Sequence, residues 1–446
     1  MCSIFFSNKQ QGDLEIINKF LKPRGPDGSN FDFRNNTIFI HNLLSITGEY
    51  TRQPLFDNND EVGMVFNGEI YNYKDFGKYD NDSKCIIPLY KKHGINFITT
   101  LDGEFAIILV DYKNNEVIVS SDIFGTKPLF LSTSNGICAS TYKQPLIENG
   151  FTDIKKVPAN TTILLDLKTG KEKDRFKIHN FDLNQHKTYP TDWFKAFHDS
   201  MKKRAVDDVR EKTFIGLSSG YDSGAIACEL LKQNAKFKAY SITGSENTGI
   251  LNKRWDILKR NPNVELKIST ISQNERETAH NYLLENTEEW KYTIYSKRSS
   301  YNEFNLSLWD DNGANSLSHL CSMAKNDGKK ILLSGAGADE IFSDYGWNGQ
   351  SKYQHSNFGG LFPEDLKTIF PWPSFFSSSM ESYLMKDEFV GGSYGLEVRY
   401  PFLDKNVVQE FLWLSHNYKN SNYKSVLHDY LKQNNFPFSQ NEKIGF

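Results

Sequence analysis

Leu217-Ser218-Ser219-Gly220-Tyr221-Asp222-Ser223-Gly224 stands between a strand-like run, residues 214–217, and a helical stretch, residues 225–232. Small residues let backbone N–H groups approach an anion, and the helix N-terminus behind them adds partial positive charge. Hydroxyls at Ser218, Ser219 and Ser223 are further donors, and Asp222 suits a magnesium ion that bridges to phosphate. The terminal Gly-Lys-Ser/Thr of a Walker A loop is missing. An ordinary Gly/Ser turn with a capping Asp has the same composition, and this loop alone does not separate the two.

Downstream, Leu333-Ser334-Gly335-Ala336-Gly337-Ala338-Asp339-Glu340 repeats the pattern after the strand-like residues 330–333. Residues 238–243 read as another strand, and helical stretches alternate with all of these runs. Such alternation predicts a parallel α/β sheet, whose ligands bind outside the carboxyl ends of its strands. Two strand-end loops can then face one nucleotide, which makes Asp222 and Asp339 candidate metal ligands. The polar, irregular residues 179–190 mark a linker. The helix after them places Trp193, Phe194, Phe197 and Met201 on one face.

The first half reads differently. Thr37-Ile38-Phe39-Ile40, Val62-Gly63-Met64-Val65-Phe66, Phe105-Ala106-Ile107-Ile108-Leu109-Val110 and Glu116-Val117-Ile118-Val119 are β-rich runs separated by Asn/Asp turns. Residues 85–93 look helical. Two packed β-layers with some helix account for this half. At its start, Cys2 follows the initiator Met1, so removal of Met1 leaves a thiol and a free α-amine on one residue. An α-amine titrates near 7.7–8.0 and can serve as the base for that thiol.

Composition narrows the rest. Net charge is −3 with no long basic run, which argues against nucleic acid as a partner. The 14% aromatic content, with 33 Phe and 22 Tyr, suits large cores. Cys2, Cys85, Cys138, Cys228 and Cys321 are odd in number and widely separated, a pattern of free thiols in a reducing compartment. No apolar run reaches membrane-span length and no cleavable signal peptide is recognised, so no membrane partner is expected and the cytoplasm is the expected compartment.

Taken in order, these motifs resemble the glutamine-dependent asparagine synthetases of the bacterial B type, nearly end to end. Met1-Cys2-Ser3-Ile4-Phe5, Arg24-Gly25-Pro26-Asp27-Gly28, Gln53-Pro54-Leu55, Asn67-Gly68-Glu69-Ile70-Tyr71-Asn72 and Gly125-Thr126-Lys127-Pro128-Leu129 follow the family's order. Ser218 to Ser223 is similar to its SGGLDS loop, Ser334 to Glu340 to its SGxGxDE loop, and Glu397-Val398-Arg399-Tyr400-Pro401-Phe402-Leu403-Asp404 to a third synthetase motif.

The resemblance implies an α/β chain of two domains. Residues 2–180 would form a glutaminase of the N-terminal nucleophile fold, with layered β-sheets and helices. Residues 191–446 would form a parallel α/β ATP-pyrophosphatase domain. Cys2 would attack the glutamine amide, with Asn67 and the Gly68 N–H as oxyanion hole and Glu69 and Asp82 gripping the substrate ammonium. In isolation, Asn67-Gly68 is more commonly a type I′ hairpin turn. Leu217, Ser218, Ser219, Gly220, Asp222 and Ser223 would hold pyrophosphate. Ile242, Ser334 and Gly335 would contact ATP, Asp222 and Asp339 would hold Mg2+, and Lys443 would be the catalytic lysine.

The implied reaction is glutamine-hydrolysing, ATP-dependent amidation of a carboxylate through an acyl-adenylate, with aspartate to asparagine foremost. A different acceptor, such as a sugar acid or a secondary metabolite, and a synthetase-like cyclase are the alternatives. The oligomeric state is left open, a homodimer being the candidate. Leu43 stands where the family has an arginine for the glutamine carboxylate, with Arg52 as the nearby substitute. Ser219 replaces a glycine, and Ala336 replaces a glutamate.

Overall fold

The computed structural model describes residues 2–205, 212–244, 246–295 and 306–442. The chain forms two compact units. One comprises Met1–Asn180, Asn286–Glu288 and Gly392–Glu397; the other takes Phe181–Glu285, Glu289–Gly391 and Val398–Phe446.

In the first unit two six-stranded sheets pack face to face. Strand Val62–Ile70 shows how the sequence dictates this layering. Successive side chains of a strand point to opposite faces. Val65 therefore joins Ala106, Ile108 and Val110 in a core shared with Ile4, Phe6 and Phe39 of the other sheet. Met64 and Phe66 join Phe105, Ile107 and Leu109 beneath helix Ile86–His93. The sheet is apolar on both faces because one face meets a sheet and the other a helix.

Strand Ser3–Ser7 is wholly buried between Thr37–Leu43 and Cys138–Ser140, antiparallel to both. The start of the chain is thus a central strand, which fixes Cys2 against fraying. Strand Val62–Ile70 also runs straight through Asn67 and Gly68, which sit opposite Ala106 and Phe105. The hairpin-turn alternative for Asn67-Gly68 is therefore excluded.

The second unit is built on a five-stranded sheet in the order Val264–Thr270, Phe237–Thr243, Thr213–Gly216, Ile331–Leu333, Glu397–Arg399. The first four strands are mutually parallel. The chain steps outward from Thr213–Gly216 on one side and then resumes on the other. The crevice of such a sheet opens at this reversal. Helix Thr191–Ala205 covers the unit with Trp193 stacked on Phe197 and Phe197 stacked on Phe402. Here the aromatic residues are core.

Helix Thr191–Ala205 is also tied by charge to the start of helix Lys405–Trp413. Arg204 Nη1 donates to Asp404 Oδ2 at 2.9 Å, and Lys203 pairs with the same carboxylate, which is 2% exposed. Burial pushes the Asp404 carboxyl up, but the two cations more than reverse this and hold it well below the usual range. A depressed carboxyl contributes stability above its unfolded pKa and loses it as pH falls through the folded one. Asp404→Ala removes this anchor and a helix cap together, since Asp404 Oδ1 accepts the Asn406 N–H at 2.9 Å. A loss of ~3–5 kcal/mol is expected, read from urea unfolding at pH 7, shrinking as the pH is lowered. Equal stability of variant and wild type at pH 7 would refute the role.

Candidate active sites

In the first unit the site grows from the central strand. Arg24, fully buried, donates from Nε to the Cys2 carbonyl at 3.1 Å and from Nη1 to the Tyr142 hydroxyl at 3.1 Å. Burial pushes the Cys2 thiol up to about 11; the positive charge of the chain's N-terminus and the Leu44 N–H work the other way, while the charges of Glu397 and Asp82 raise it further. At neutral pH the thiol is therefore protonated. The Ile70 N–H donates to Asp82 Oδ2 at 2.9 Å, which ties Asp82 to the strand that carries Asn67, Gly68 and Glu69. Cys2, Asp82 and that strand are thereby brought together.

Asn67 is fully buried, and neither its Nδ2 nor its Oδ1 has a hydrogen-bond partner among the described residues. An unpaired buried amide costs about 1–3 kcal/mol, so its persistence points to a missing ligand. Gly68 has φ +139°, and a Cβ there would lie 1.9 Å from the Glu104 carbonyl oxygen. Only glycine fits. Leu43 is buried on strand Thr37–Leu43, and Arg52 is exposed. His41, which the sequence reading missed, is buried beside them on that strand. Burial holds its imidazole down at about 3, hence neutral, and its Nε2 has no partner among the described residues. No spacing in the sequence marks it.

In the second unit the two strand-end loops converge. A cavity of about 330 Å³ is lined by Ser218, Gly220, Asp222 and Ser223 from one loop and by Ser334, Gly335 and Asp339 from the other. A Cβ on Gly335 would lie 2.9 Å from the Asp222 Cβ, so the loops touch. Ser218 Oγ lies 2.8 Å from Ser223 Oγ, and the Gly220 N–H donates to Ser218 Oγ at 3.2 Å. Ser334 Oγ donates to Asp387 Oδ2 at 2.6 Å. Leu217 and Ser219 are not among the residues that line this cavity, while Ile242 lines another cavity with Glu246 and Arg276. Lys443 lies outside the described residues.

Between the carboxylates sits Lys424, whose side chain is 2% exposed. Its Nζ donates to Asp222 at 2.6 and 2.8 Å and lies 2.9 Å from Asp339 Oδ1. Burial would lower its pKa, but Asp222 and Asp339 outweigh that and raise it. The Tyr423 hydroxyl donates to Asp339 Oδ1 at 2.8 Å. The ammonium is a stand-in cation, showing that the two carboxylates can share one ion. No group of three or more potential metal-ligating side chains occurs among the described residues. Magnesium there would take these two carboxylates and complete its shell with phosphate and water oxygens, its usual habit. Nothing in the sequence pairs Lys424 with Asp222, so only the fold reveals it.

Among the described residues no helix is long and apolar enough to cross a membrane. Residues 1–177 match the family model described as a glutamine amidotransferase domain, and residues 193–391 the one described as asparagine synthase. A glutamine-hydrolyzing asparagine synthetase of Saccharomyces cerevisiae is 25% identical over 444 residues, covering 92% of this chain and 75% of that protein. Another, from Sandersonia aurantiaca, is 26% identical over 427 residues, covering 91% and 75%. Among solved structures, the allosteric regulatory enzyme of purine biosynthesis aligns over 60% of this chain and 80% of its own, at 13% identity and a TM-score of 0.34.

Gly68→Ala tests the geometry around Asn67. The side chain meets the neighbouring strand's backbone, so local strain of ~1–3 kcal/mol is expected. Thermal unfolding should occur at lower temperature, with glutamine hydrolysis lost. A stable variant that hydrolyses glutamine at the wild-type rate would show that this strand position tolerates a side chain.

Proposed function

The chain belongs to the glutamine-dependent asparagine synthetase family and is a glutamine-hydrolysing ligase; from that premise we propose how its own residues divide the work. Residues 2–180 release ammonia from glutamine, and residues 191–446 use it to amidate an ATP-activated carboxylate. The observation that carries the second half is the convergence of both strand-end loops on one cavity, with Asp222 and Asp339 close enough to share a cation.

Cys2, freed of Met1, attacks the side-chain amide carbon of glutamine. Its own α-amine, freed with the removal of Met1, takes the thiol proton. The amide of Asn67 and the N–H of Gly68 receive the developing oxyanion, each such donor being worth ~2.7–4 kcal/mol. The unpaired state of the Asn67 amide supports this role. Glu69 and Asp82 hold the substrate ammonium. Expulsion of ammonia leaves a thioester that water hydrolyses to glutamate.

In the other unit the acceptor carboxylate attacks the α-phosphorus of ATP, and pyrophosphate leaves toward Leu217, Ser218, Ser219, Gly220 and Ser223. Ile242, Ser334 and Gly335 position the nucleotide. Magnesium on Asp222 and Asp339 would supply charge neutralisation for the leaving phosphates. Lys443 stabilises charge on the reacting oxygens, and ammonia displaces AMP from the acyl-adenylate. Aspartate is the acceptor we favour, because the cavity wall carries the Lys386 ammonium and the Asp311 and Asp387 carboxylates, complementary to the charged groups of an amino acid. A second reading, a bulkier acceptor, is favoured by the tyrosine lining of Tyr345, Tyr353 and Tyr383 and by Ala336. Free thiols at all five cysteines support a cytoplasmic setting.

Pyrophosphate release, with ammonium as nitrogen donor and a panel of carboxylates, tests the acceptor. Aspartate-dependent release is expected, whereas release only with larger acids would replace aspartate by the second reading. Asp222→Asn and Asp339→Asn should each abolish pyrophosphate release and leave glutamine hydrolysis measurable.

Cys2→Ala should lose glutamine hydrolysis and keep ammonium-driven synthesis, because nucleophile and adenylation site lie in different units. Lys443→Ala should show the reverse pattern. Equal loss of both activities in a folded Cys2→Ala protein would refute the division of labour.

A further inference from the structure

The loop at residues 217–223 already holds an anion, supplied by the chain itself. Glu246 Oε2 accepts the Ser219 N–H at 2.6 Å and also the Ser219 hydroxyl. The Asn247 N–H donates to Ser219 Oγ at 3.0 Å and closes the contact. Ser219 is buried, so the carboxylate takes two donors that water barely reaches. A backbone N–H and a hydroxyl in front of a helix N-terminus are the groups that a phosphate oxygen takes.

Behind the loop, the fully buried Arg254 donates from Nη1 to the carbonyls of Ser218 at 2.5 Å and Gly220 at 2.9 Å. A trans peptide points its N–H opposite to its C=O. Holding the Ser218 carbonyl therefore aims the Ser219 N–H away from Arg254 and toward Glu246. Arg254 Nη2 has no hydrogen-bond partner among the described residues, while the charges of Glu246 and Asp222 act on the buried guanidinium. Glu246 also lines the cavity of about 490 Å³ that contains Ile242, which places it where the proposed nucleotide side meets the phosphate loop.

We propose that Glu246 is a positioning residue that stands in for a phosphate oxygen on Ser219 while the site is free, and must leave before a di- or triphosphate seats. The proposal rests on the reading of residues 217–223 as the pyrophosphate loop. Glu246 then competes with bound phosphate for the same donors and assists the departure of pyrophosphate by returning to them. Ser219 supplies the hydroxyl that strengthens this grip.

Isothermal titration of the full-length protein with inorganic pyrophosphate, with and without magnesium chloride, reads the competition. Glu246→Gln and Glu246→Ala should each bind pyrophosphate at least tenfold more tightly than wild type, and Ser219→Gly should gain less in the same direction. In steady state the KM for ATP should fall in Glu246→Gln without a rise in kcat. A residue that merely braces the loop moves binding the opposite way, so unchanged or weaker binding in both Glu246 variants overturns the proposal alone. No pyrophosphate or ATP binding by any of these proteins, each folded by circular dichroism, overturns it together with the reading of the loop.

Discussion

One buried ammonium holds the second unit's site together. Lys424 lies at the N-terminal edge of helix Ser425–Gln433 in a left-handed backbone conformation, and its side chain reaches both Asp222 and Asp339. Each of these charges alone would cost several kcal/mol to bury, and the cost is offset only when all three meet with good geometry. The contact thereby fixes the separation of two loops that come from different strand ends. It also sets the local electrostatics: two carboxylates against one ammonium leave a net negative charge that a divalent cation with its phosphates can satisfy.

The first unit solves a different problem. A residue near a chain start is prone to fraying, and Cys2 adjoins a strand, Ser3–Ser7, that lies in the middle of a sheet. The same burial that steadies Cys2 raises its thiol, so order and reactivity pull in opposite directions. Arg24 takes part on the side of order, through the Cys2 carbonyl, and leaves the sulfur untouched. On strand Val62–Ile70, Asn67 is kept buried with its amide unpaired among the described residues, a local cost that a rigid strand can bear.

Both units use glycine where backbone must approach closely. Gly68 lies against the Glu104 carbonyl, and Gly335 lies against Asp222. In each, the small residue is the reason a polar group sits at the site at all. The loop at residues 217–223 adds a further layer, because Arg254 orients the peptide whose N–H Glu246 takes on the other side.

The layering of the chain was legible from periodicity. β-rich runs such as residues 62–66 announced strands in packed layers, and the alternation of strands with helices after residue 190 announced a parallel sheet. Both patterns are local consequences of side-chain direction, which needs no partner to be read. The two Gly/Ser loops were legible for the same reason, since their chemistry is contiguous in sequence. Asn67-Gly68 was ambiguous, because a turn and a strand accept the same dipeptide; pairing with residues 105–106 decided it. Lys424, Glu246, Arg254 and His41 were invisible. Their roles depend on charges and carbonyls brought close by folding, in Lys424 across 202 positions, and a lysine or glutamate on an exposed stretch looks identical in sequence. What the sequence by itself determined was where strands, helices and Gly/Ser-rich loops lie, because those follow from neighbouring residues. Which charge faces which, and so what each loop holds, was decided by the tertiary structure, because electrostatic partners are set by distance in space.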